Sequence, residues 1–318
     1  MSERIRGILP VVQTALDAKG ELDMDSMKRQ VAFCIDAGVH GLVYPVLGSE
    51  FQFLSDDDRK RLLEVVVTAA DGKSPVIAGV AGTTKHVAME HAMHAKSVGA
   101  DAVIAMPPYI AIASSDEILD YYRAIAETAQ LPVFIQHAPQ GPGVDVAFLR
   151  KLLTDVEHVR YIKEEMEPSA HNISGLLEVD LPGCWGIIGG GWCRWMPSEM
   201  ERGAHGFMPS VEVVDVHVKI WNAFQKGNKA ESRAMFNQLA PFIHLTFNLG
   251  LPFVKEVLVR RGLLRTALLR QTGMPSLDDA DRRELDVVMG EIEHLFTTRR
   301  NVFCWLPVGR VRPEKVIA

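Results

Sequence analysis

The chain has 318 residues, enough for one large domain or two smaller ones, and an α/β barrel alone commonly takes about 250. With 47% hydrophobic and 23% charged residues it has the makings of a substantial core, and a formal net charge of -6 gives it no electrostatic attraction to nucleic acid or an anionic membrane. No stretch approaches the length of a membrane span, MSERIRGILP lacks the apolar run of a signal peptide, and Cys34, Cys184, Cys193 and Cys304 form no CxxC pair; a reducing cytoplasm is the expected location.

In chain order, short β-branched apolar runs alternate with helical patterns. RGILPVVQ (6–13) is followed by MDSMKRQVAFCIDAG, whose Met27, Val31, Phe33, Cys34 and Ile35 precede a terminating Gly38. GLVYPV (41–46) leads to SDDDRKRLLEVVVTAADG, with Ser55 as N-cap and an acidic first turn. PVIAGVA (75–81) and KHVAMEHAMHAKSVGA come next, and then DAVIAMP (101–107). PVFIQHA (132–138), VRYIKE (159–164), WGIIGG (185–190) and HGFMPS (205–210) complete eight predicted strands. Their apolar, non-alternating character predicts a parallel sheet covered on both faces, and eight units predict a (β/α)8 TIM barrel. The first turn has no GxGxxG fingerprint, and GIIGGG at 186–191 has no Lys-Ser/Thr behind it, so neither nucleotide-loop reading applies.

After residue 212 only helical patterns remain: VVDVHVKIWNAFQKG, KAESRAMFNQLAPFIHLTFNLG, PFVKEVLVRRG and DDADRRELDVVMGEIEHLFTTRR. The expected division is a barrel over 1–225, a C-terminal helical extension over 226–300 and a tail over 301–318. The tail holds Phe303, Trp305 and Leu306 outside any periodic pattern, as a packed arm or a frayed end.

Barrel active sites sit at the carboxyl ends of the strands, which makes the residues closing each strand the informative ones. Here these are Gln13 and Thr14, Gly48 to Glu50, Pro107 to Tyr109, Gln136 and His137, Lys163 to Glu165, Gly189 to Gly191 and Met208 to Ser210. No HxH, HExxH or paired Asp occurs among them, and His137 with Glu165 lacks a third ligand, so no metal is expected. The ring contains one lysine. A partly desolvated amine can attack a ketone and form an imine, although a solvated strand-end lysine is the plainer alternative.

The run of motifs RGILPVVQTALDAKGELD, GVHGLVYPVLGSEFQFLSDDDR, VAGTTKHVAMEHAMHAKSVGADAVIAMPPY, LPVFIQHAPQGPGVD, VRYIKEEMEPS and RGAHGFMPS resembles the dihydrodipicolinate synthase / N-acetylneuraminate lyase family over most of residues 5–270. The resemblance implies a Schiff-base 2-keto acid lyase on a barrel with a C-terminal helical extension. It also implies no metal or organic cofactor and a homodimer or homotetramer. Lys163 matches the imine-forming lysine of the family's I-K-E motif. The family's carboxylate-gripping G-T-T-G-E run is here Val46-Leu47-Gly48-Ser49-Glu50, with backbone donors at Gly48 and Ser49 and a hydroxyl at Ser49. Gly191 matches a family glycine near the reacting centre, and Tyr109 a tyrosine that shapes the pocket.

The departures narrow the chemistry. Gln136 stands where synthases and aldolases carry the tyrosine of Y-N-x-P, Leu47 and Ile110 replace the other members of the proton relay, and Gly141 replaces an arginine. The Q-x-A-P segment with K-x-E resembles the 2-keto-3-deoxy-L-arabonate dehydratase branch, which implies loss of water from a 2-keto-3-deoxy sugar acid. Lys163 would form the imine. Glu165 would move protons, because positions i and i+2 of a strand share a face, and Gln136 would orient a hydroxyl or water. Gly48, Ser49, Tyr109, His137, Gly191 and Met208 are the expected substrate contacts, with His137 open to a second reading as a packed wall histidine. Two other functions stay open: a pyruvate-dependent aldolase or synthase, and a silent keto-acid-binding paralogue.

Overall fold

A computed structural model of the protein describes residues 4–179 and 183–297, so the expected tail over 301–318 lies outside the described residues. Strands and helices alternate: β1 (Gly7–Ile8), α1 (Met24–Asp36), β2 (Leu42–Tyr44), α2 (Asp56–Ala70), β3 (Val76–Gly79), α3 (Lys85–Ser97), β4 (Ala102–Ala105) and α4 (Ser115–Ala129). Then come β5 (Val133–His137), α5 (Val146–Asp155), β6 (Val159–Glu164), α6 (Ser169–Leu177), β7 (Gly186–Gly189), α7 (Met196–Glu201), β8 (Gly206–Phe207) and α8 (Val214–Gln225). Three further long helices follow: α9 (Lys229–Leu249), α10 (Leu251–Arg260) and α11 (Asp279–Ile292). Helix starts follow the expected chemistry. Ser55 accepts from the Asp58 N–H at 3.1 Å, while Asp56, Asp57 and Asp58 place negative charge on the first turn of α2.

The eight strands are all parallel, in the order β1-β8-β7-β6-β5-β4-β3-β2. Val11 bridges both Val43 and Ser210 and so closes the sheet into a (β/α)8 barrel. Regular pairing in the first strand stops at Ile8, well short of the expected 6–13. Pro10 has no N–H to give, and beyond Ile8 the strand's own donations to β8 are Leu9 to Phe207 at 2.8 Å and Val11 to Pro209 at 2.7 Å.

Strand alternation sorts the side chains into two cores. Leu9, Val11, Val43, Ile77, Ile104, Phe134, Tyr161, Ile188 and Met208 fill the barrel, while Ile8, Leu42, Val76, Val103, Ile135, Ile162, Ile187 and Phe207 face the helices. The rings of Phe134 and Tyr161 stack at 4.0 Å, and the Tyr161 hydroxyl accepts from the Ile5 N–H at 2.9 Å. These aromatics plug the amino end of the barrel and leave the carboxyl end for chemistry.

The last helices are tied to that end by a buried ion pair. Glu50, in the left-handed region at φ 62°, holds Lys255 of α10 at 2.5 Å, and both side chains are fully buried. Glu50 also accepts from the Gln271 N–H at 2.8 Å, and Lys255 donates to Leu268 O at 2.7 Å. Burial pulls the Lys255 pKa down against the attraction of Glu50. Breaking such a pair on one side strands a charge, whereas replacing both partners removes it. Lys255→Met should therefore lower stability by about 3–5 kcal/mol. The double variant Glu50→Gln/Lys255→Met should regain much of that loss in urea denaturation, and equal losses in the single and double variants would refute the account.

Candidate active site

Lys163 and Glu165 lie at the end of β6, on the inward face that Tyr161 begins. Lys163 is only 4% exposed, so its charge needs a partner, and Glu165 supplies one at 3.1 Å. Register places Gln136 of β5 beside Lys163, and its amide nitrogen donates to the same Glu165 oxygen at 2.9 Å. The other Glu165 oxygen accepts from the Gly191 N–H at 3.0 Å. Burial pushes the Glu165 carboxyl up, but Lys163, the Gly191 N–H and the Gln136 amide together outweigh it and hold the pKa below the ordinary value. Glu165 is therefore an ionised carboxylate at neutral pH, in hydrogen-bond contact with the amine. A carboxylate at that distance is within reach to exchange a proton with the amine.

The amide nitrogen of Gln136 orients the Glu165 carboxylate. Of the two readings of His137, the geometry fits the packed wall histidine and not the substrate contact. It is the outward neighbour of Gln136, and its Nδ1 meets Glu164 at 2.8 Å on the helix-facing side of the sheet, away from the Lys163 group. Glu164 turns outward as expected, accepting from the Met166 N–H at 2.8 Å and from Asn172 of α6 at 3.4 Å.

The strand-2 turn differs from expectation at Ser49. Its hydroxyl donates to Val12 O at 2.7 Å, and its N–H to Val46 O at 2.8 Å, so neither is free for a ligand. The N–H groups of Leu47 and Gly48 find no acceptor among the described residues. Thr14 braces this turn, bonding to Ser49 O at 2.5 Å and to the Tyr44 hydroxyl at 3.0 Å. Tyr109 is half-buried, with its ring edge-on to Phe51 at 5.6 Å, and it belongs to the outer wall of the mouth. Met208 closes the barrel interior under the mouth.

The sequence includes Gly190 in the strand-closing run 189–191 but gives it no role of its own. A Cβ there would lie 2.3 Å from the Glu165 Cγ, so the carboxylate occupies the space a side chain would need. The signal was present in the GGG run at 189–191, but only the partner's position shows which glycine serves Glu165. Among the described residues no group of three or more His, Cys, Asp or Glu is arranged to hold a metal ion, and no helix is long and apolar enough to cross a membrane.

The chain belongs to the dihydrodipicolinate synthetase family, whose model matches residues 4–291. Members of this family are lyases that work through a lysine Schiff base. It is 28% identical to the L-2-keto-3-deoxyarabonate dehydratase of Azospirillum brasilense over 297 residues, covering 92% of this chain and 96% of that one. It is 26% identical to the 4-hydroxy-tetrahydrodipicolinate synthase of Methanothrix thermoacetophila, covering 89% and 96%. The crystal structure of YagE from Escherichia coli K12, in complex with pyruvate, superposes with a TM-score of 0.84 at 22% identity, covering 92% of this chain and 99% of that one.

Gly190→Ala tests the seat of Glu165. A crystal structure of the variant should show Glu165 driven from Lys163 to beyond about 4 Å, the limit of an ion pair. A separation still at 3.1 Å would refute the steric argument.

Proposed function

We propose that the protein is a Schiff-base dehydratase of a 2-keto-3-deoxy sugar acid, with 2-keto-3-deoxy-L-arabonate as the representative substrate. One observation carries the reading: a carboxylate only 15% exposed, Glu165, is held between Lys163 and Gln136. In the synthase and aldolase pattern the place of Gln136 belongs to a tyrosine. An amide cannot exchange the proton a phenol exchanges, so acid–base work falls to the carboxylate. The dehydratase relative supports this reading, while aldolase names also occur among the relatives.

The steps follow from the groups present. Glu165 takes a proton from Lys163, whose nitrogen adds to the C2 ketone; Glu165 returns that proton to the carbinolamine hydroxyl, which leaves as water to give a protonated imine and an ionised Glu165. The iminium draws electrons from C3, and Glu165 removes a C3 proton to form the enamine. The enamine pushes out the C4 hydroxyl, which departs as water with the proton returned by Glu165. Isomerisation and hydrolysis release 2-oxoglutarate semialdehyde and free Lys163, with a net loss of one water. The unused N–H groups of Leu47 and Gly48 supply a place for the substrate carboxylate.

Borohydride trapping with a panel of 2-keto acids, followed by peptide mass analysis, is the test. The expected result is a reduced adduct on Lys163 and an aldehydic keto acid as the product of turnover. Release of pyruvate would assign the aldolase reading instead, and ligand-raised thermal stability without adduct or turnover would assign a silent binder. Glu165→Gln should still form the adduct, but more slowly, because Lys163 must then lose its proton to water, and should lose about 10²–10⁴-fold in turnover, the usual worth of a general acid–base. Because Glu165 is held below the ordinary carboxylate value, kcat/KM should stay free of a Glu165 limb until the pH falls below about 4.3, and then decline as the carboxylate is protonated.

A further inference from the structure

Beyond β7 the backbone takes an uncommon path. Gly191, Trp192 and Cys193 all lie in the left-handed region, at φ 56°, 55° and 62°. Glycine does so freely, but an indole-bearing residue and a cysteine persist there only when their surroundings hold them. The surroundings are supplied by α9. The Trp192 ring meets Phe247 edge-on at 6.1 Å, and the Arg194 guanidinium lies 3.8 Å above the same Phe247 ring.

Arg194 is the hub of this arrangement. Its Nε donates to Gly191 O at 3.2 Å, and its Nη2 donates to Glu167 at 2.7 Å, on the oxygen that also accepts from the Trp195 indole at 3.0 Å. Gly191 is thus gripped at its carbonyl from one side, while its N–H is spent on Glu165 from the other. We propose that Phe247 and Arg194 are positioning residues for Glu165: the α9 helix fixes Arg194 and Trp192 through Phe247, Arg194 holds the Gly191 carbonyl, and the Gly191 N–H is thereby aimed at the carboxylate. The helices beyond the barrel then set the proton affinity of a group they do not touch.

The sign of the effect is fixed. The Gly191 N–H favours the ionised carboxylate, so loosening the loop raises the Glu165 pKa. The other groups facing Glu165 are Lys163 on its own strand, the neutral Gln136 on β5 and the Cys193 thiol, which burial keeps protonated. A change at residue 247 alters the charge of none of these; Cys193 shares the loop and moves with it, but as a neutral thiol. The consequence for turnover rests on the proposed function, but the titration of Glu165 does not.

The experiment follows the carboxyl signal of Glu165 by ¹³C NMR in the full chain, with carboxyl-labelled glutamate and Glu165→Gln for assignment. Phe247 is 44% exposed, so Phe247→Ala removes the ring at little risk to folding. Phe247→Ala and Arg194→Met should each move the Glu165 titration upward by about one pH unit, the scale of one hydrogen bond to a charged group. Phe247→Tyr, which keeps the ring, should titrate as the wild type does. Arg194→Lys keeps the charge without the planar fork and should stay shifted. An unchanged Glu165 titration in Phe247→Ala and Arg194→Met overturns the proposal, whatever happens to their melting temperatures. Absence of any Lys163 adduct would overturn the dehydratase reading and leave this result standing by itself.

Discussion

An amine and a carboxylate 3.1 Å apart, at the mouth of a barrel and largely withdrawn from water, constrain everything around them. Taking either charge out of water alone costs several kcal/mol, and the attraction between them offsets this only when the remaining hydrogen-bonding capacity is also met. That requirement accounts for the cast of neighbours. Gln136 must present a donor, which an apolar residue could not do. Gly190 must be without a side chain so that the carboxylate can lie against the strand. Gly191 must turn its N–H inward, and the loop that achieves this is held from α9.

The two faces of β6 keep this chemistry separate from a second set of buried acids. Glu164 alternates outward to His137 and the start of α6, so its charge is spent on the helix side. Glu199 of α7 lies in the same layer and accepts from the Ser169 hydroxyl at 2.6 Å. Burial raises the Glu199 pKa to about 7, with Ser169 opposing and the carboxylates of Glu167 and Glu164 adding to the rise. Near neutrality that group is therefore partly protonated, which spares the outer layer a full second negative charge beside Glu164. The inner carboxylate has a cation and is held ionised, and the outer one has no cation at contact distance among the described residues and is partly protonated.

What could be read from the sequence was whatever depends on local periodicity. Alternation along VRYIKEE by itself places Lys163 and Glu165 on one face and Glu164 on the other. Apolar runs and terminating glycines placed the strands and helices. What could not be read depends on contacts between distant segments. The Ser49 hydroxyl looked free because nothing in its own segment announces that Val12 O will take it. Glu50 looked like part of a substrate-gripping turn, yet its partner is Lys255 of α10, far along the chain. His137 was ambiguous because the same alternation that turns Gln136 inward turns it outward, and only the register with Glu164 decides its partner. Phe247 looked like one more apolar position of an amphipathic helix, and its role shows only when Arg194 and Trp192 are seen on either side of its ring.

Replacing a phenol by an amide has a consequence that reaches the substrate. A tyrosine relay can pass protons along a line of hydroxyls, so removal and delivery of a proton can occur at different places. With Gln136 in that position the carboxylate in contact with Lys163 is Glu165, and on the proposed reading that one carboxylate takes the C3 proton and returns it to the departing C4 hydroxyl. A side chain held by three donors has little freedom to move between opposite faces of a ligand. On the proposed reading both bonds therefore break on the face of the imine that Glu165 occupies, and the elimination is syn. Rotation about C3–C4 can bring the C4 hydroxyl of either epimer to that face, so C4 epimers differ in where the C5 group must lie as the hydroxyl departs. Stereochemical selectivity in such a site comes from the fixed position of a single proton carrier, and the loop and helix contacts that fix that position are part of the specificity.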